Sequence, residues 1–126
     1  MSWCSELTKL YLESQGFHVE SVEIPGVRGR TKDFMGMWDE LAWDREGRLY
    51  LVQSTDRNNI RARQKKIMEV LSDPKSDRYN GMAAYLACES HKAEIWGWND
   101  KNVVKRKVLS MWIDSDGSVH WEEAEA

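Results

Sequence analysis

The stretch Trp38-Asp39-Glu40-Leu41-Ala42-Trp43-Asp44-Arg45-Glu46-Gly47-Arg48-Leu49-Tyr50-Leu51-Val52-Gln53-Ser54-Thr55 decides how this chain folds. Two strand-like runs, Trp38 to Asp44 and Leu49 to Thr55, flank Arg45-Glu46-Gly47. A connection of this length commonly closes as a type I turn followed by a left-handed residue, and Gly47 sits where that conformation is needed. Asp44 then pairs with Arg48, and counting back along both strands pairs Trp43 with Leu49, Leu41 with Leu51 and Asp39 with Gln53. Paired residues of an antiparallel ladder project to the same face, about 4.5 to 5.5 Å apart. Asp39 and Gln53 are therefore expected side by side, with Thr55 beyond them, as a polar end on an otherwise apolar hairpin face.

Upstream, Trp3, Leu7, Leu10, Tyr11 and Ser14 fall on one helical face, and Gly16 follows where a helix would end. Phe17, Val19, Val22 and Ile24 read as a strand ending near Pro25, before a loop that runs to Lys32. Downstream, Asn58 to Leu71 is helical in period, with Ile60, Ile67 and Leu71 inward, Met68 on the flank, and Arg61, Lys65 and Glu69 opposite; Asp73-Pro74 ends it. Met82 to Cys88 and Ala93 to Trp98 read as buried strands, and 103–113 with 118–121 as a last hairpin around Asp114-Ser115-Asp116-Gly117. The order of elements points to an α/β protein with a mixed central sheet flanked by helices.

The 126 residues fit one domain, and 41% apolar with 31% charged residues is the balance of a globular chain. No apolar run reaches membrane-spanning length and the first residues lack a signal-peptide pattern, so a cytoplasmic location is expected. Cys4 and Cys88 have neither zinc nor disulfide spacing and read as buried free thiols. His18, His91 and His120 share no metal-site spacing.

A net charge of -3 argues against an indiscriminate nucleic-acid binder, but the charge is segregated. Arg57, Arg61, Arg63, Lys65 and Lys66 cluster within residues 56–66, and Arg28, Arg30 and Lys32 form a second basic group, whereas acids gather in the run from Trp121 to Ala126, expected to fray. Of the seven tryptophans, Trp96 and Trp98 share one strand face; such side chains pack cores, or stack on bases where exposed.

Lys32-Asp33-Phe34-Met35-Gly36-Met37-Trp38-Asp39 followed by a strand ending Gln53-Ser54-Thr55 resembles the PD-(D/E)XK nuclease superfamily, and in particular the Holliday-junction-resolvase-like proteins of phages. The resemblance implies a restriction-endonuclease-like αβββαβ core over residues 3–98, with 103–121 as a C-terminal β extension. It implies that Asp39 is a metal ligand, that Gln53 stands where a second acid belongs, and that Thr55 replaces the usual lysine. Glu6 corresponds to the additional helical acid of some relatives, Gln64 to an inward polar residue of the second helix, and Lys32, Lys65 or Lys66 would have to supply the missing cation. Catalytic candidates are thus Asp39, Gln53, Thr55 and Lys32; metal candidates are Asp39, Gln53 and Glu6; and phosphate contacts would come from Arg28, Arg30, Lys32, Arg57, Arg61, Arg63 and Lys66.

Hydrolysis of a phosphodiester at such a site needs Mg²⁺ or Mn²⁺ held by oxygen ligands. Gln53 offers only a neutral carbonyl, and Thr55 no charge. Each residue also has a purely structural reading: a strand-start carboxylate capping amides, a buried amide bridging backbone, a solvated basic helix face. Three function classes follow: a metal-dependent DNA nuclease, including one acting on branched DNA as a homodimer; a nuclease-like module that binds nucleic acid or protein without cutting; and an interaction protein that presents aromatic side chains.

Overall fold

A computed structural model describes residues 2–25, 31–99 and 105–125. The expected phosphate contacts Arg28 and Arg30 lie outside the described residues. Helix α1 (Trp3–Ser14) is followed by strand β1 (His18–Ser21) and two short strands that pair only with each other, β2 (Ile24–Pro25) and β3 (Thr31–Lys32). Strands β4 (Glu40–Trp43) and β5 (Leu49–Asp56) form the expected hairpin. A 3-10 turn at Arg57–Asn59 leads into α2 (Ile60–Val70), then α3 (Asp77–Leu86), β6 (His91–Trp98), β7 (Arg106–Ile113) and β8 (Val119–Glu125).

The sheet is mixed and six-stranded in the order β1-β4-β5-β6-β7-β8. β5 and β6 are parallel and the other neighbours antiparallel. A parallel pair needs a crossover, here supplied by α2 and α3 on one face; α1 covers part of the other. The hairpin register is the expected one, Trp43 opposite Leu49 and Leu41 opposite Leu51. Gly47 adopts φ +82°, and the Asp44 amide donates to the Arg48 carbonyl at 3.2 Å.

Four expectations are corrected. Residues 82–88 are not a strand: Met82, Ala83, Ala84, Tyr85 and Leu86 continue α3, which begins where the Ser76 hydroxyl accepts the Tyr79 amide at 3.1 Å. A short apolar run fits either state by pattern, and Ala, Met and Leu with a serine N-cap favour helix. Cys88 consequently lies in the exposed turn after α3, so only Cys4 is a buried thiol. The acidic C-terminus does not fray, because residues up to Glu125 pair with β7. Finally, α1 is turned relative to its apolar stripe: Cys4, Ser5, Thr8 and Leu12 are buried while Leu10 is 64% exposed.

The core has two layers. Between α1 and the sheet lie Leu12, Phe17, Val52, Trp96 and Trp98; between the sheet and α2/α3 lie Trp38, Ile67, Met82, Ile95 and Leu109. Trp96 and Trp98 are buried, so neither is a base-stacking surface. Gly97 holds the start of α2 against β6, since a Cβ there would lie 3.0 Å from Ile60 Cδ1 and 3.2 Å from the Arg57 backbone. Gly97→Ala is expected to destabilise the fold by about 1–3 kcal/mol through overpacking, read as a lower midpoint in urea with unchanged slope.

Candidate functional site

Asp39 lies just before β4 and meets the carboxyl end of β5. Its backbone N–H donates to the Val52 carbonyl at 3.0 Å, and its carboxylate accepts the Ser54 amide at 3.1 and 3.3 Å. A side chain thus stands in for a ladder acceptor at the strand end, which pins the carboxylate against β5. Gln53 Nε2 donates to Asp39 Oδ2 at 3.2 Å, the juxtaposition read from the register. Asp39, Gln53 and Thr55 are all buried.

Glu40 completes this cluster, and the sequence reading passed over it. Strand alternation sends Glu40 to the α1 side of the sheet, yet it is 1% exposed, and Ser54 links it to Asp39 by bonding one carboxyl through its backbone N–H and the other through its hydroxyl. The Ser54 hydroxyl donates to both Glu40 oxygens at 3.0 Å. Ser54 Oγ in turn lies 2.7 Å from Thr8 Oγ1, which accepts the Trp98 indole N–H at 2.9 Å. Indole can only donate, so Thr8 accepts from Trp98, while the Thr8 hydroxyl also lies 3.1 Å from the Cys4 carbonyl that can take its one proton; Ser54 donates to Glu40, and either hydroxyl can be the donor between Thr8 and Ser54. This polar relay explains why α1 buries Ser5 and Thr8 rather than Leu10.

Two adjacent buried carboxyls cannot both ionise cheaply. Burial pushes the proton affinity of Asp39 well above the carboxylate range, with Glu40 adding to the effect and the Ser54 amide opposing it. Burial raises Glu40 as well, against hydrogen bonds from Asp39, Ser5 and Ser54. At neutral pH the pair retains a proton unless a cation takes its place. Such a donor set suits a divalent ion: two carboxylates and the carboxamide of Gln53 are hard oxygen ligands. Among the described residues no group of three His, Cys, Asp or Glu side chains converges, so the site rests on this pair. Glu6 is exposed on α1, beside the inward-facing Cys4 and Ser5, and does not join it.

The basic residues divide into two sets. Lys32, Arg63 and Lys66 line an open cleft of about 670 Å³ together with Arg78 of α3, which the sequence reading had not singled out. Asp33 is the one acid in its lining and lies 3.5 Å from Lys66. Met35 at φ 56° and Gly36 at φ 74° form a tight left-handed turn between Phe34 and Trp38, and the missing Cβ of Gly36 makes room for the Arg78 guanidinium. Arg57 and Arg61, by contrast, are ion-paired to Glu125 and Glu123 of β8. Gln64 accepts from Arg61 Nη1 at 2.9 Å, along the helix surface rather than into the carboxylate cluster.

Comparison with known proteins finds no matching family model, no significantly similar curated protein and no significantly similar solved structure. Among the described residues no helix is long and apolar enough to cross a membrane.

Proposed function

We propose that this chain is a divalent-metal-dependent nuclease of restriction-endonuclease-like architecture that hydrolyses DNA phosphodiesters, including those of branched DNA. The observation that carries the reading is the Asp39–Glu40 pair, two buried carboxyls with a raised proton affinity at the carboxyl end of β5. There β5 pairs antiparallel with β4 and parallel with β6, and its carboxyl end leads directly into the helical crossover that carries Arg63 and Lys66. The run of one helix, a three-strand antiparallel β1-β4-β5 meander, helical crossover and parallel strand fits the αβββαβ core that the sequence resembles.

In this reading Asp39 and Glu40 hold Mg²⁺ or Mn²⁺, and the carboxamide of Gln53, turned from its bond to Asp39, adds a neutral oxygen. The ion, when bound, activates water and offsets the charge that develops on the phosphate. The chain's own contribution is to present the carboxyl pair, whose retained proton would leave to solvent as the cation took its place, to keep it fixed through Ser54, Thr8 and Trp98, and to seat the neighbouring phosphates on Arg63, Lys66, Lys32 and Arg78. A homodimer, as in the resolvases the sequence resembles, would set two such sites against two strands.

A second reading is favoured by Thr55, which is 5% exposed where the resemblance places a catalytic lysine. In that reading the fold binds nucleic acid without cutting it. The two are separated by incubating labelled four-way-junction, duplex and single-stranded DNA with the protein and Mg²⁺ or Mn²⁺. Cleavage is expected, and it disappears with EDTA and in Asp39→Ala. Salt-sensitive binding with no cleavage in either metal assigns the second reading, and absence of both cleavage and binding overturns both.

A further inference from the structure

Among the described residues three large aromatic side chains are exposed, Phe34, Trp43 and Trp112. Trp43 lies against the His18 ring and Trp112 against the His120 ring, at centroid separations of 4.5 and 5.3 Å. Phe34 differs: among the described residues no other ring and no guanidinium covers it. It also lines the open cleft that holds Lys32, Arg63, Lys66 and Arg78. An uncovered phenyl ring therefore stands where the surrounding side chains suit phosphate.

The backbone holds that ring in place. The Phe34 amide donates to the Trp38 carbonyl at 2.7 Å, and the Phe34 carbonyl accepts the Met37 and Trp38 amides, each at 3.0 Å. Met35 and Gly36 between them both have positive φ, as in a type I′ turn, where glycine sits without strain and methionine at φ 56° does not. Met35 is held there by its tip, which packs on α3 so closely that a Cβ at Gly81 would lie 3.0 Å from Met35 Cε. Backbone strain of this kind persists where the surroundings impose it, and it is concentrated at binding sites. Here it fixes Phe34 on a turn that closes at Trp38, one residue before Asp39, so the ring is tied to the backbone that carries the carboxylate.

Single strands are bound by a cationic groove that follows the backbone and by aromatic rings that take the faces of bases. Inside a duplex those faces are covered by the neighbouring pairs. Phosphates of paired and unpaired DNA alike can meet the four cations, but only an unpaired base can use the ring. Taking the cleft as a DNA site, as the proposed function does, we propose that Phe34 is a stacking platform for an unpaired base of a strand whose phosphates lie on Arg63 and Arg78. The candidate nuclease site thus prefers DNA with a single-stranded segment, such as a gap, a flap or the open centre of a branch.

Fluorescence anisotropy of the full chain in EDTA, with labelled oligothymidylate, an intact duplex and the same duplex carrying a gap, tests this, with thymidine 5′-monophosphate as competitor. The gapped duplex should bind more tightly than the intact one. Phe34→Ala and Phe34→Leu should each weaken the oligothymidylate roughly tenfold, the scale of one lost base stack, and move the intact duplex by less than about twofold. Leucine keeps an apolar side chain at the position, so its loss reports stacking, and Phe34→Trp should keep or improve single-strand affinity. Urea midpoints show that each variant is folded. Equal losses for oligothymidylate and intact duplex, undiminished oligothymidylate binding by folded Phe34→Ala, no preference for the gap, or a monophosphate that binds as tightly as the strand overturns the platform and leaves the nuclease reading standing. Failure of the wild type to bind any of the three DNAs overturns both.

Discussion

Asp39→Asn is expected to abolish metal-dependent cleavage and, above neutral pH without metal, to make the protein more stable than the wild type. The two effects share one cause. Asp39 and Glu40 are buried together and their proton affinity is raised, Asp39 chiefly by burial and then by Glu40. An unfolded carboxyl ionises near pH 4, so above that pH the folded chain keeps a proton that the unfolded chain has released. The folded state then binds more protons than the unfolded one, and stability falls as pH rises. The loss begins near the ordinary carboxylate range and continues upward as far as the raised folded value. For one proton the slope is at most about 1.4 kcal/mol per pH unit, and between pH 5 and 8 a loss of roughly 2–4 kcal/mol is expected. A carboxamide at position 39 can still accept the Ser54 amide, can donate to Glu40, and carries no charge, so the slope should flatten. Divalent ion replaces the retained proton in the wild type: Mg²⁺ should raise its Tm at pH 8, raise it less at pH 5, and leave Asp39→Asn unmoved. Cleavage by the variant should drop by about a hundredfold or more. Thermal unfolding across pH with and without Mg²⁺ reads the thermodynamic part. A wild-type stability that climbs between pH 5 and 8, or a Tm indifferent to Mg²⁺ at pH 8, would falsify the metal assignment of this pair.

The features written in the sequence are those with a short-range physical cause. The Arg45-Glu46-Gly47 turn fixed the register, and the register put Gln53 beside Asp39. Helix α2 was legible from Ile60 and Ile67, both buried. What escaped the sequence depends on contacts distant along the chain. Pattern alone turned α1 toward Leu10, because polar Ser5 and Thr8 looked like surface; they are interior because Ser54, Glu40 and Trp98 meet them from the sheet. Glu40 was passed over for the same reason, since alternation sends it to the face opposite Asp39 and does not foresee that Ser54 joins the two carboxyls. Arg78 sits in the first turn of α3, a helix whose later residues from Met82 read as a strand, so its place in the basic cleft could not be anticipated. The acidic end of the chain carried a signal that was available: Glu123 and Glu125 alternate, and an alternating row opposite a basic helix face can pair with it.

That last pairing separates basic residues that look equivalent in sequence. Arg57 and Arg61 spend their charge on Glu125 and Glu123, and Lys107 also reaches Glu123 at 3.2 Å, whereas Arg63 and Arg78 open onto the cleft. Exposed ion pairs are individually weak, but a phosphate approaching Arg61 must displace an anion already there, and one approaching Arg63 need not. The double variant Arg63→Ala/Arg78→Ala is therefore expected to weaken duplex DNA binding roughly 10- to 100-fold at low salt. It should also make the dependence of log affinity on log salt concentration shallower by about 2, since each phosphate contact contributes close to 0.9. Arg57→Ala/Arg61→Ala should change both quantities far less, although the two pairs carry the same charge and sit within one short stretch of the fold. Fluorescence anisotropy with a labelled duplex at several salt concentrations measures both. Equal losses from the two double variants would mean that β8 yields its acids readily to DNA and that the whole α2 surface is the interface; an unchanged slope in Arg63→Ala/Arg78→Ala would remove the cleft from the binding site.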